Sequence, residues 1–218
     1  PDTTYEYNEL GQEVKQTHYN ENGNRSSEDT TEYDTNGNRT VHHAYYDDSG
    51  KVSYGEIHKY DASGRLLMKG VDPHGDGEYY DINVYEYDGS GNLVKEAADY
   101  DGDGKYRDIK TYEYDGSGNL IKETVDDDGD GKPESVETFE YNESGERVKH
   151  HAVYPRAGYE EVTEDGPEAW QTTVTKKGYD NDGNLSWSTV QIQSSSSGRL
   201  IKKYVDADGD GKPEKIEE

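Results

Sequence analysis

Only 28% of the 218 residues are hydrophobic, and tyrosine supplies 21 of them against one phenylalanine and one methionine, which excludes a thick globular core. Acidic residues outnumber basic ones 49 to 23; the resulting formal charge of −26 makes nucleic acid and anionic membrane surfaces poor partners. Cysteine is absent, which removes disulfide staples and thiolate zinc sites, and no apolar stretch is long enough for membrane insertion.

Residues 1–70 are built from a short phrase: an aromatic, then Asp or Asn, two variable residues and Gly. It runs Tyr7-Asn-Glu-Leu-Gly11, Tyr19-Asn-Glu-Asn-Gly23, Tyr33-Asp-Thr-Asn-Gly37, Tyr46-Asp-Asp-Ser-Gly50 and Tyr60-Asp-Ala-Ser-Gly64. Asp or Asn opening the turn and Gly closing it fit a type I turn followed by a left-handed glycine, so each phrase predicts a β-hairpin tip. Twelve to 14 residues separate these tyrosines.

Residues 71–150 keep the phrase at Tyr87, Tyr114 and Tyr141 but space it by 27 residues. Period-two alternation puts Tyr85 with Tyr87, Tyr112 with Tyr114, and Phe139 with Tyr141 on one face of each strand. The opposite faces carry Ile82 and Val84, Ile109 and Thr111, and Val136 and Thr138, so neither face is purely polar.

At the far end of each long unit stands a second phrase. It reads Asp72-Pro-His74-Gly-Asp76-Gly77, Asp99-Tyr-Asp101-Gly-Asp103-Gly104 and Asp126-Asp-Asp128-Gly-Asp130-Gly131, and it returns as Asp206-Ala-Asp208-Gly-Asp210-Gly211. Acidic oxygens at alternate positions followed by glycine suit a hard cation, above all Ca²⁺. Counted from the first Asp, the ninth position adds Glu134 and Glu214, and the twelfth Glu137 and Glu217. In the first two loops Asp81 and Asp108, at the tenth position, take that place. Lys105, Lys132 and Lys212 need supply only a backbone carbonyl. His74 puts a softer nitrogen into the first loop, which predicts the weakest site. Three to four Ca²⁺ ions are expected, four of them reducing the charge from −26 to −18.

Residues 151–218 form an irregular hairpin region ending in the last acidic loop. Pro155, Gly158, Gly166, Pro167 and Trp170 stretch the tyrosine spacing to 38 before Tyr179-Asp-Asn-Asp-Gly183, and Ser194–Ser197 before Gly198 reads as another turn tip. The last loop lies so near Glu218 that the chain reads as part of a longer repeat array, and a start at Pro1 without Met reads as a processed or trimmed product.

Tyr60-Asp-Ala-Ser-Gly-Arg-Leu66, Tyr33-Asp-Thr-Asn-Gly-Asn-Arg39 and Tyr114-Asp-Gly-Ser-Gly-Asn-Leu120 resemble the tyrosine–aspartate repeat of bacterial Rhs and teneurin-type proteins. That resemblance implies a long antiparallel β-ribbon, spiralled into a shell in large members, in an extracytoplasmic setting. The acidic loops resemble the calcium loops of thrombospondin type 3 and dockerin-like repeats. At 218 residues the chain is too short for a closed shell.

The expected fold is all-β: one domain, 1–218, an elongated or curved antiparallel hairpin array. No enzyme is expected. His42-His43 and His150-His151 lack a third ligand pattern, the serine run has no accompanying base, and no phosphate-cradling glycine loop occurs. The expected function is a calcium-binding stalk, spacer or shell element, secreted or at the cell surface. The alternative is a calcium-dependent adhesin domain binding a surface glycan or another extracellular protein through tyrosine rows, Trp170 and Trp187.

Overall fold

The computed structural model describes residues 2–45, 51–165 and 171–217, the backbone alone for 215–217. The expected turn at Tyr46–Gly50 and the expected platform Trp170 lie outside them. The described residues hold seventeen strands and no helix. The first eight are β1 (Thr3–Tyr7), β2 (Glu13–Tyr19), β3 (Arg25–Tyr33), β4 (Arg39–Tyr45), β5 (Tyr54–Tyr60), β6 (Leu66–Asp72), β7 (Tyr80–Tyr87) and β8 (Leu93–Asp99). Then come β9 (Arg107–Tyr114), β10 (Leu120–Asp126), β11 (Ser135–Tyr141), β12 (Arg147–Tyr154), β13 (Tyr159–Asp165), β14 (Gln171–Tyr179), β15 (Leu185–Ser194), β16 (Leu200–Asp206) and β17 (Lys215–Glu217).

Two compact units divide within β9, at Ile109 and Lys110. In the first, β1 to β8 pair antiparallel in chain order. In the second, β10 to β17 do the same. The irregular region therefore continues the meander: β13 and β14 pair over seven residues, from Tyr159–Gly178 to Asp165–Thr172.

The tyrosine phrase makes one turn repeatedly. In Tyr33–Asn38, Gly37 N–H donates to Asp34 C=O at 3.0 Å and Asp34 N–H to Asn38 C=O at 2.9 Å. Gly37 takes φ +87°, a left-handed conformation that side chains with Cβ disfavour. The pairing register slips by one residue at Tyr7, Tyr19, Tyr33, Tyr60, Tyr87, Tyr141 and Tyr179, as a type I turn with a bulge requires. Asp34 Oδ1 also accepts the N–H groups of Asn36 and Asn38, at 2.8 and 2.9 Å.

The residue after the glycine matches the turn-opening one. Asp34, Asp88 and Asp115 receive the side-chain amides of Asn38, Asn92 and Asn119 at 2.9–3.0 Å, and Asp61 receives Arg65 Nε at 2.6 Å. Where Asn opens the turn, polarity reverses: Asn8 donates to Gln12 Oε1 and Asn142 to Glu146 Oε2. The asparagine amides hold Asp34, Asp88 and Asp115 below the ordinary carboxylate range.

Hairpins are also tied to their predecessors. Tyr33 Oη donates to Glu13 C=O at 2.8 Å, Tyr87 Oη to Leu66 C=O at 3.1 Å, and Tyr141 Oη to Leu120 C=O at 2.9 Å. Each bond links the last residue of one strand to the first of the strand before it. Arg65 stacks 4.8 Å over the Tyr87 ring. Among the described residues the buried apolar ones are few and small: Ala44, Ala97, Ala98, Ala152 and one larger ring, Phe139. Tyrosine contributes through its hydroxyl as well as its ring because so little else is buried.

Two outcomes follow. Tyr87→Phe removes one tether and is expected to cost about 0.5–1.5 kcal/mol in urea denaturation; an unchanged midpoint would mean that the hydroxyl adds nothing. Because folding lowers the turn aspartates' pKa values, their contribution is complete above the unfolded value of about 3.9 and is lost as pH falls through the folded one. The melting temperature should thus drop below about pH 4, less steeply in Asp88→Ala; equal slopes in the two proteins would exclude this linkage.

Candidate metal centres

The four acidic loops connect β6 to β7, β8 to β9, β10 to β11 and β16 to β17. Their first aspartates are among the most buried side chains: Asp72 and Asp99 are 2% exposed, Asp126 8% and Asp206 5%. Each is satisfied by backbone. In the second loop Gly102 N–H donates to Asp99 Oδ1 and Gly104 N–H to Oδ2, both at 2.9 Å. Gly129 and Gly131 bond Asp126, and Gly209 and Gly211 bond Asp206, in the same pattern at 2.7–2.9 Å. In the first loop the donors to Asp72 are His74, Asp76 and Gly77. Burial alone would raise the Asp72 pKa, but these amide bonds outweigh it and hold the carboxyl low.

The fifth-position aspartates each accept the N–H two residues on, at 2.7–3.0 Å: Asp76 from Glu78, Asp103 from Lys105, Asp130 from Lys132 and Asp210 from Lys212. Asp128 and Asp208 do likewise with Asp130 and Asp210, at 3.1 Å. These bonds orient the carboxylates without using every lone pair. In three loops, carboxylate oxygens converge to within 4.8 Å of one another: Asp99, Asp101 and Asp103; Asp126, Asp128 and Glu134; Asp206, Asp208 and Asp210. The first loop is not among these groups.

Glu134, a member of its convergent group, and Glu214 each turn one oxygen back onto the loop, accepting Asp127 N–H at 2.6 Å and Ala207 N–H at 2.7 Å. Other expected ligands lie outside the convergent groups. Glu137 lies on β11 with Oε2 2.8 Å from His150 Nε2. Asp81 and Asp108 adopt left-handed φ values of 47° and 49° at the start of β7 and β9, and Asp108 accepts the Tyr100 hydroxyl. Glu217 pairs with Lys203 through the backbone. Trp187, 37% exposed, spreads its ring over Gly178.

The fourth-position glycine carries a role that the motif does not announce. Besides its positive φ, a Cβ on Gly75 would strike Val52 C=O, one on Gly102 would strike Tyr79 C=O, and one on Gly209 would strike Leu185 C=O. These three loops therefore pack against the backbone where an earlier connection ends. The sixth-position glycines Gly77, Gly104, Gly131 and Gly211 meet nothing within 4 Å and serve the turn alone.

No family model and no curated sequence relative matches this chain. Solved structures do. The Photorhabdus luminescens Tc holotoxin pore carrying a TccC3 mutation aligns at TM-score 0.49 and 18% identity, over 91% of this chain and 9% of that one. A TcdB2–TccC3 crystal structure aligns at TM-score 0.36 and 16% identity, over 93% of this chain and 12% of that one. The chain thus spans about a tenth of the length of these Tc toxin components.

The two classes of aspartate should separate in EGTA. Asp99→Ala leaves buried amides unsatisfied and is expected to cost about 1–3 kcal/mol, whereas Asp101→Ala should stay within about 0.5 kcal/mol. Equal losses by chemical denaturation would show that the buried anchor has no special part.

Proposed function

We propose that this chain is a structural repeat module rigidified by Ca²⁺, acting as a stalk, spacer or shell element of a secreted or cell-surface protein and catalysing no reaction. One observation carries the reading: in the second and fourth loops, three carboxylates from alternate positions converge, the first of them already held by backbone amides. An all-oxygen set suits a hard cation, and its flexibility suits Ca²⁺ better than Mg²⁺. Asp99, Asp101 and Asp103 would hold one ion and Asp206, Asp208 and Asp210 another, with the Lys105 and Lys212 carbonyls completing the turn. Extracellular calcium sites with dissociation constants of roughly 0.1–1 mM fill outside a cell. The Tyr-Asp phrase, now a repeated turn with a fixed hydrogen-bond set, supports membership of a longer hairpin array resembling the Rhs and teneurin type.

Calorimetry with Ca²⁺ and thermal melts in EGTA and in millimolar Ca²⁺ test this. Binding should raise stability by about 2.7 kcal/mol per site at 100 times the dissociation constant. No heat of binding and an unmoved melt would remove calcium from the function.

Exposed Tyr100 and Tyr106 flank the second loop, and Trp187 is exposed on the strand entered through Leu185, against which the fourth loop packs. Rings beside candidate metal loops favour, as the second reading, a calcium-dependent adhesin for glycan or protein. Glycan-array binding abolished by EGTA and by Trp187→Ala would put it first.

A further inference from the structure

We propose that Arg156 is the resident counter-ion of the third acidic loop, so that a guanidinium closes this loop while Ca²⁺ goes to the second and fourth; the division of labour rests on the calcium reading above. Arg156 occupies the turn between β12 and β13. Ala157 and Gly158 N–H groups bond Tyr154 C=O at 3.1 and 3.0 Å, and the Tyr154 and Tyr159 rings stack with centroids 4.6 Å apart. Val136 pairs with Val153, which brings the end of β12 beside the start of β11 and hence the turn beside the loop.

From that position the guanidinium reaches three carboxylates. Nη1 lies 2.9 Å from Asp128 Oδ2 and 2.6 Å from Glu134 Oε1; Nη2 lies 2.9 Å from Asp130 Oδ2 and 3.3 Å from Asp128 Oδ1. Asp128 and Glu134 belong to the convergent group that a metal would use. A planar fork of donors satisfies several carboxylates at once. A Ca²⁺ ion needs six to eight oxygens drawn round a point, so the same oxygens cannot serve both. The Arg156 bond also holds Asp128 below the ordinary carboxylate range.

The other two convergent loops have no such fork among the described residues. In the second, Lys105 Nζ pairs with Asp103 at 2.7 Å and Arg107 approaches Asp101 at 4.0 Å. In the fourth, Lys212 Nζ stands 3.4 Å from Asp210. Single ammonium contacts, and a guanidinium no nearer than 4.0 Å to one carboxylate, are readily displaced by a divalent ion. Filling the third loop instead requires the guanidinium to leave all three of its acids.

Calorimetric Ca²⁺ titration of the full chain provides the test. The native chain should bind two ions, and Asp128→Asn should leave that number unchanged. Arg156→Gln should add a third site, removed again by Asp128→Asn in the same background; Arg156→Lys, which keeps the charge and loses the fork, should tighten third-loop binding at least tenfold. A site lost on Asp128→Asn while Arg156 is present, or no site gained in Arg156→Gln, would overturn the proposal. If neither protein binds Ca²⁺, the calcium reading fails and the guanidinium closure is judged alone. In EGTA, Asp128→Asn should then lower the melting temperature less in the Arg156→Gln background than in the native one, and strictly additive shifts would overturn it.

Discussion

The bond on which the rest depends runs from a backbone N–H to the side-chain oxygen of an Asp or Asn that opens a connection. Tyrosine turns and acidic loops both use it, with different reach. In the turns the acceptor takes N–H groups two and four residues on, as Asp34 does; in the second to fourth loops it takes those three and five residues on, as Asp99 does. A meander with so little apolar burial cannot leave register to side-chain packing, since a one-residue slip would cost little. Register is fixed at the strand ends instead, by connections that admit one length and one bulge.

This division explains how so acidic a chain is assembled. A carboxylate that accepts two or three amide bonds is stabilised as an anion and is an asset to the fold. Asp34, Asp61, Asp72, Asp88, Asp115 and Asp180 belong to this class. In the second and fourth loops the remaining acids, Asp101 with Asp103 and Asp208 with Asp210, converge with the first; Asp103, Asp208 and Asp210 each accept one backbone N–H, against the two that Asp99 accepts. Between the strand ends the sheet is held by modest repeated contacts: tyrosine hydroxyls on the preceding strand, small alanines, and cross-strand pairs such as Lys95 with Glu86 and Lys149 with Glu140. Exposed pairs of that kind contribute little singly.

Much of this was legible in the sequence because it is local. Tyr-Asx-x-x-Gly encodes the turn, its spacing the hairpin, and alternating aspartates the loops. Other features depend on what lies alongside in space, and no local phrase carries them. Arg156 stands 28 residues beyond Asp128 in what reads as an irregular segment, and only the pairing of β11 with β12 brings them together. Glu137 was matched to a loop position by counting, yet strand β11 begins at Ser135 and carries it toward His150. The motif does not distinguish the glycine of the fourth loop position from that of the sixth, although in the first, second and fourth loops only the former abuts another connection. A signal is present there: in the second to fourth loops a glycine follows each of the last two aspartates of the phrase, where a turn requires only one.

The seat against which those glycines press is a carbonyl oxygen, at Val52, Tyr79 and Leu185, and not a side chain. Every residue owns such an oxygen. The neighbour can therefore change its amino acid freely without spoiling the fit, and it need not be an acidic loop: Leu185 follows an ordinary tyrosine turn. An acidic loop is thus portable. Gene duplication or recombination can set one after another connection of the array, provided the fourth-position glycine travels with the anchoring aspartate and the turn glycine.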